Sequence, residues 1–153
     1  MDKYLKILDT TKNIIAPGSR CTTSKIIEES VEDVLINKYG DKWRDKEDLF
    51  INCYEILRKK FHVDTYNGDI PYFYSMYYML LNIPKIQLVL LQLMRMKKLS
   101  RNMKILDVGS GVGTTSIGIL DIIALFEHLC GLYEHESFFD SIVVDSIEGS
   151  AAN

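Results

Sequence analysis

The sequence predicts an α/β protein: a helical region over residues 1–100, then one strand–helix–strand unit over residues 101–153. Three observations predict it. Apolar residues recur at helical spacing through most of the first part. The period changes at Lys104, where "KILDVG" is a short, nearly all-apolar run of the kind buried in a parallel sheet. A glycine-rich turn, a second helical pattern and a second apolar run, "SIVVDS" at 141–146, follow it. Two strands joined through a helix run parallel, because the crossover returns the chain to its starting end.

Residues 3–15 open the helical region, with Tyr4, Ile7, Leu8 and Ile14 as the apolar side and "APGS" at 16–19 ending it. In "TTSKIIEESVEDVLINKYG", Thr22, Thr23 or Ser24 suits an N-cap, and Glu28 and Glu29 suit the positive end of the helix dipole. Ile26, Ile27, Val31, Val34 and Leu35 are its expected buried side, and Gly40 its stop. A third helix is expected over 45–61, capped by Asp45, with Leu49, Phe50, Cys53, Ile56 and Leu57 at helical spacing and Arg58, Lys59 and Lys60 in its last turn. "HVDTYNGDIP" at 62–71 reads as a loop with turn chemistry at Asn67-Gly68. Two further helices are expected, 72–82 and 84–98, with Pro84 in the first turn of the second. After the glycine turn, residues 114–129 have helical spacing through Ile117, Leu120, Ile123 and Leu125, and "GLYEHESFFDS" connects them to the last strand.

Bulk composition fits this plan. With 153 residues, 47% hydrophobic and 25% charged, the chain can bury a sizeable core and lacks the signature of disorder. The start "MDKYLKILDTTKN" has no apolar core of a secretory signal. Cys21, Cys53 and Cys130 form no CxxC pair and no metal-spaced cluster, so they read as reduced thiols of a cytoplasmic protein and no metal site is expected. The apolar stretch 72–96 is interrupted by Asn82, Pro84, Lys85, Gln87 and Gln92, which argues for buried helices rather than a membrane span. Charge is unevenly placed: all 18 Lys and Arg lie in residues 1–104, whereas 105–153 hold 8 acids and no base. Such a split suggests two structural units, or one that lacks its counterpart.

The glycine turn carries the chemistry. Asp107 ends the first apolar run, and Gly109, Gly111 and Gly113 follow at alternate positions. Glycine accepts positive φ and lets backbone approach a ligand with no Cβ in the way. Ligands of open parallel sheets bind at this carboxyl end of the strands. The dinucleotide fingerprint GxGxxG/A fails in both registers, because its third position falls on Thr114 or Ser116. What is present is an acid with glycines two, four and six places on, "DVGSGVG", between a strand and a helix. This resembles motif I of the class I S-adenosylmethionine-dependent methyltransferases. The resemblance implies a Rossmann-like methyltransferase fold of which this chain carries the first βαβ unit, with the sheet incomplete. It implies that Gly109, Gly111 and Gly113 form the floor under the cofactor, that Ser110 and Thr114 of the same turn bind it, and that Asp107 orients the loop and the ligand's amino group. It also implies an acid at the end of the second strand that accepts the ribose hydroxyls. Asp145, followed by Ser146, is the expected one; a strand-end acid that caps the next turn is the alternative.

The segment "YFYSMYYMLLNIPKIQLVLLQLMRMKKLSRNMK" ahead of the motif is similar to a narrower group, the methyltransferase-like proteins associated with the small ribosomal subunit. That similarity implies methylation of RNA, or a non-catalytic role in ribosome assembly that keeps the fold. In that group, residues ahead of motif I close over the cofactor; Tyr74, Tyr78 and Asn82 share one helix face and are either such residues or core. Arg95, Lys97, Lys98, Arg101 and Lys104 are either an RNA-contacting run or the solvated end of a helix. His62, His128 and His135 are isolated and carry no assigned chemistry. The family's fold needs more strands than are found here, and no catalytic residue is identifiable. The expectation is therefore the N-terminal portion of a longer enzyme, inactive alone. Its uncovered sheet edge is a route to oligomers.

Overall fold

The structure, a computed structural model, describes residues 2–18, 20–59 and 67–148. Residues 62–66 of the expected loop, Lys60 and the chain from 149 onward lie outside them. The fold is mixed α/β and mostly helical, with one small parallel sheet.

A single 3₁₀ turn leads into α1 (Leu5–Ile15). Its buried stripe is Tyr4, Ile7, Leu8, Thr11 and Ile15; Ile14, expected inside, is exposed because it lies one residue off that stripe. Helix α2 (Lys25–Tyr39) starts after Ser24 and ends at Gly40, which has φ +79° and donates its N–H to the Ile36 carbonyl at 2.7 Å. The Thr23 and Ser24 hydroxyls do not cap it. Thr23 donates to the Leu80 carbonyl at 2.8 Å and Ser24 to Asp121 at 2.8 Å, so both side chains hold α2 to other helices. Only Ile27, Val31 and Leu35 of the expected five are buried. Asp45 belongs to a 3₁₀ turn, Trp43–Asp45, and α3 (Glu47–Lys59) begins beyond it with Phe50, Cys53 and Leu57 inside.

Pro84 does not open a separate helix. One helical rod runs through α4 (Ile70–Tyr74), a π turn (Ser75–Met79) and α5 (Leu80–Arg95), with Pro84 inside α5. Proline has no N–H for the carbonyl four residues back, which here is Leu80. The Thr23 hydroxyl occupies that carbonyl instead.

Strand β1 (Asn102–Val108) and strand β2 (Ser141–Ile147) pair in parallel across α6 (Thr114–Leu132), in the register Asn102↔Ser141 to Val108↔Ile147. This is the expected βαβ unit, with α6 one turn longer than its spacing suggested. Thr114, Gly118, Ile119, Ile122, Ile123, Phe126, Leu129 and Cys130 are its buried residues, and Leu120 is exposed. With a mean hydropathy of 1.5 over its best window, α6 is long and apolar enough to cross a membrane. Here it packs against α1 and α5, which accounts for its apolar face. The connector is pinned where the Phe138 and Phe139 N–H groups donate to Glu127 Oε1 at 3.0 and 3.1 Å.

Two cores result. Tyr4, Ile7, Leu91, Met94, Met103, Ile122 and Phe126 belong to one, so α1 and α5 share a core with the βαβ unit. Ile27, Leu35, Phe50, Leu57, Phe73 and Ile83 belong to the other, built on α2, α3 and the start of the rod. Among the described residues, only one face of the sheet is covered. Met103, Ile105 and Asp107 point inward, whereas Leu106 (60% exposed) and Val108 (72%) lie on a bare face with Val143 and Ile147.

Candidate functional site at the glycine turn

The two strands end side by side and the turn is tied to both. Gly109 and Ser110 donate their N–H groups to the Ile147 carbonyl at 2.7 and 3.2 Å. The Gly113 N–H donates to Ser110 O at 2.8 Å, and Gly113 is the left-handed N-cap of α6. Gly109, Gly111 and Gly113 have φ of +72°, +53° and +79°. Apart from chain neighbours, no atom of the described residues lies within 4 Å of where a Cβ would stand on Gly109 or Gly111. Backbone conformation, not crowding, therefore selects glycine at these two positions, and open space adjoins them.

Asp107 lies on the covered face, 7% exposed. Its Oδ2 accepts the Ser116 hydroxyl at 2.8 Å, and Ser116 Oγ is 2.8 Å from Ser146 Oγ. Ser116 has one proton and gives it to the carboxylate, so Ser146 is the donor in the second bond. This chain joins β1, α6 and β2 beneath the turn. Thr114, at the first position of α6, is buried and its hydroxyl has no partner among the described residues.

The expected residues are thus mostly together: Asp107, Gly109, Ser110, Gly111, Gly113, Thr114 and Ser146 converge on one turn. Asp145 does not join them. It pairs in register with Leu106, one residue out of phase with Asp107, and so lies exposed on the bare face of the sheet. The acid beside the turn is Glu148, whose Oε2 accepts the Gly111 N–H at 2.5 Å. Strand β2 runs to Ile147, two residues past Asp145, which carries the strand end to Glu148. An acid directly after the last apolar residue of the run was the sequence signal for it. In the sequence, Ser116 stands out only as one of three hydroxyl residues, 114–116, that suit a cap of the following helix.

Other expectations resolve differently. The π turn adds a residue to the helical period. Tyr74 and Tyr78 are half-buried against the second core, with tilted rings whose centroids are 5.4 Å apart, and Asn82 accepts from Lys85 at 2.9 Å. Arg95 is paired with Asp9. Arg101 grips Asp140 through Nε and Nη2 and donates to the Ser137 carbonyl at 3.0 Å. That pairing holds the Asp140 carboxyl below its ordinary value. Both arginines of the basic segment are thus paired with carboxylates of the fold.

The electrostatics of the turn are one-sided. Asp107 and Glu148 flank it, and no Lys or Arg occurs from residue 105 to the end of the chain. No family model, no curated protein and no solved structure matches the chain.

Proposed function

We propose that this turn binds S-adenosylmethionine within a Rossmann-like methyltransferase fold and that the protein's chemistry is methyl transfer, with RNA as the acceptor. The observation that carries the cofactor is Glu148 on the Gly111 N–H. In a dinucleotide site the backbone N–H groups of this turn face a pyrophosphate, and the helix N-terminus favours its negative charge. Here a carboxylate already takes one of those N–H groups, and a second carboxylate, Asp107, lies below. That field repels phosphate. It attracts a ligand bearing a sulfonium and an ammonium group, and a carboxylate also accepts from both hydroxyls of a ribose. Asp107 and Glu148, the open space over Gly109 and Gly111, and the unpartnered Thr114 hydroxyl are the groups that would hold it. RNA as acceptor rests on the resemblance of residues 72–104 to the ribosome-associated group.

A second reading is an assembly module that keeps the fold without catalysis. The bare apolar face formed by Leu106, Val108, Val143 and Ile147 favours it, since such a surface marks an interaction site. Calorimetric titration with S-adenosylmethionine and, separately, with NAD separates these readings. The expected result is binding of the first on the order of micromolar, no binding of the second, and loss of binding in Asp107→Ala and Gly111→Val. Binding of NAD, or of neither ligand, overturns the methyltransferase reading.

A further inference from the structure

A cavity of about 310 Å³ opens beside the glycine turn, between α2, the π turn and the start of α6. Val112, held between Gly111 and Gly113, forms one wall with Ile117. Ile26, Ser30 and Val34 form the opposite wall; they are spaced i, i+4, i+8 and so make one stripe along α2. This stripe is not the one α2 buries. Ile26 is 68% exposed and Val34 46%, which leaves two branched apolar side chains facing the cavity instead of a core. Ser75 and Met79 close the base from the first and last positions of the π turn. π turns are frequent at functional sites, and here Ser75 and Met79 line the same cavity as Val112 of the glycine turn and Ile117 of α6.

The lining contains no charged side chain, so the cavity suits a neutral group. Its polar atoms are the hydroxyls of Ser30 and Ser75. Both donate their protons within their own helices, Ser30 to the Ile26 carbonyl at 2.7 Å and Ser75 to the Pro71 carbonyl at 2.9 Å. What they present outward is the oxygen lone pairs, which accept and do not donate. A flat apolar ring edged by an N–H donor meets both requirements.

We propose that this cavity takes an amino-bearing nucleobase of the acceptor, its ring between Val112 and the Ile26–Val34 stripe and its exocyclic amine toward Ser30 and Ser75. The assignment deepens the methyltransferase reading and rests on it for the word acceptor, but base binding is tested apart from the cofactor. Cytidine is the probe, because adenosine would also be drawn to the cofactor's own adenosine position. Uridine is the control: it carries a carbonyl where cytidine carries the amine, so it sets an acceptor against the serine lone pairs at that position and keeps only its ring N3–H as a donor on that edge.

The test is methyl NMR of the whole chain with labelled isoleucine and valine, titrated with cytidine and with uridine, beside calorimetry with S-adenosylmethionine. Cytidine is expected to shift the methyls of Ile26, Val34, Val112 and Ile117 and to bind roughly tenfold more tightly than uridine, the worth of one strong hydrogen-bond mismatch. Val34→Trp, and independently Ile26→Trp, fill the cavity from exposed positions; each is expected to abolish those shifts and leave S-adenosylmethionine affinity within about twofold, since both residues lie on α2, across the cavity from the turn. Absence of cytidine shifts overturns the proposal, as does equal binding of uridine or cytidine binding that survives both tryptophans. Cytidine binding without S-adenosylmethionine binding keeps the base pocket and removes the methyltransferase reading.

Discussion

Ser116 donates its hydroxyl to Asp107 Oδ2 at 2.8 Å, across nine residues of sequence and from helix to strand. This bond fixes the carboxylate beneath the glycine turn and ties the first turn of α6 to β1. Ser116→Ala leaves a buried carboxylate without its hydroxyl donor. The expected loss is about 1.5–3 kcal/mol of unfolding free energy, the range for hydrogen bonds to charged groups. Urea denaturation reads it directly. Ser146→Ala removes only the outer link, in an exposed residue, and is expected to cost under about 1 kcal/mol. Equal losses in the two variants would mean that the Asp107 bond is not the dominant one.

The acid beside the turn separates two assignments by a simple exchange. Glu148→Ala is expected to weaken S-adenosylmethionine roughly tenfold or more, as removal of a charge-assisted hydrogen bond does. Asp145→Ala is expected to leave affinity unchanged, because Asp145 lies on the opposite face of the sheet from Asp107. Calorimetry on both variants decides it. The reverse pattern would return the ribose to Asp145 and make the Glu148 contact structural.

The sequence expresses the local features of this site well and the lateral ones poorly. Strand, turn and helix from Asn102 to Leu132 follow from an apolar run, three glycines and a helical period, all of them short-range signals. Which acid meets the turn depends instead on how far β2 extends beside β1. A one-residue change of phase moves an acid from one face to the other. The run "SIVVDS" marks Asp145 as its end, but pairing continues to Ile147, whose carbonyl is needed by Gly109 and Ser110. Helix stripes misread at Ile14, Ile26 and Leu120 have a similar origin, since apolar residues surround the buried stripe on both sides and periodicity alone does not choose among them. Pro84 reads as a helix start because proline suits the first turn of a helix. Its tolerance inside α5 depends on Thr23, which lies 57 positions before Leu80 and supplies a donor to the Leu80 carbonyl.

The three cysteines are expected to differ sharply toward a thiol reagent. Cys21 is exposed, while Cys53 and Cys130 are buried. Burial, followed by the charge of Glu127, pushes the Cys130 thiol up from 9.0 to about 11; burial, followed by Asp69, also raises Cys53. Only the thiolate attacks, so the folded protein at pH 8 is expected to release one rapid equivalent from an aromatic disulfide reagent and the other two only after denaturation. The sign of the linkage follows. A thiol whose folded pKa is raised favours the fold fully below pH 9, and Cys130 loses that contribution as pH rises through about 11. Cys130→Ala is expected to flatten the alkaline limb of the stability profile; three rapid equivalents from the native protein would show that α6 opens readily.

Thr23, Leu80 and Pro84 supply the sharpest test of the helical region. The Thr23 hydroxyl reaches the Leu80 carbonyl at 2.8 Å, the group that the N–H of an ordinary residue 84 would serve. Thr23→Val keeps the shape and removes the donor, leaving a part-buried carbonyl open, and is expected to cost about 1–2 kcal/mol. In a Pro84→Ala background the new N–H can close the helix bond itself. There the same Thr23→Val change is expected to cost roughly 1 kcal/mol less. The double-mutant cycle isolates this coupling from whatever Pro84→Ala does alone. Equal costs in the two backgrounds would mean that Thr23 holds α2 to the rod without replacing the missing helix bond.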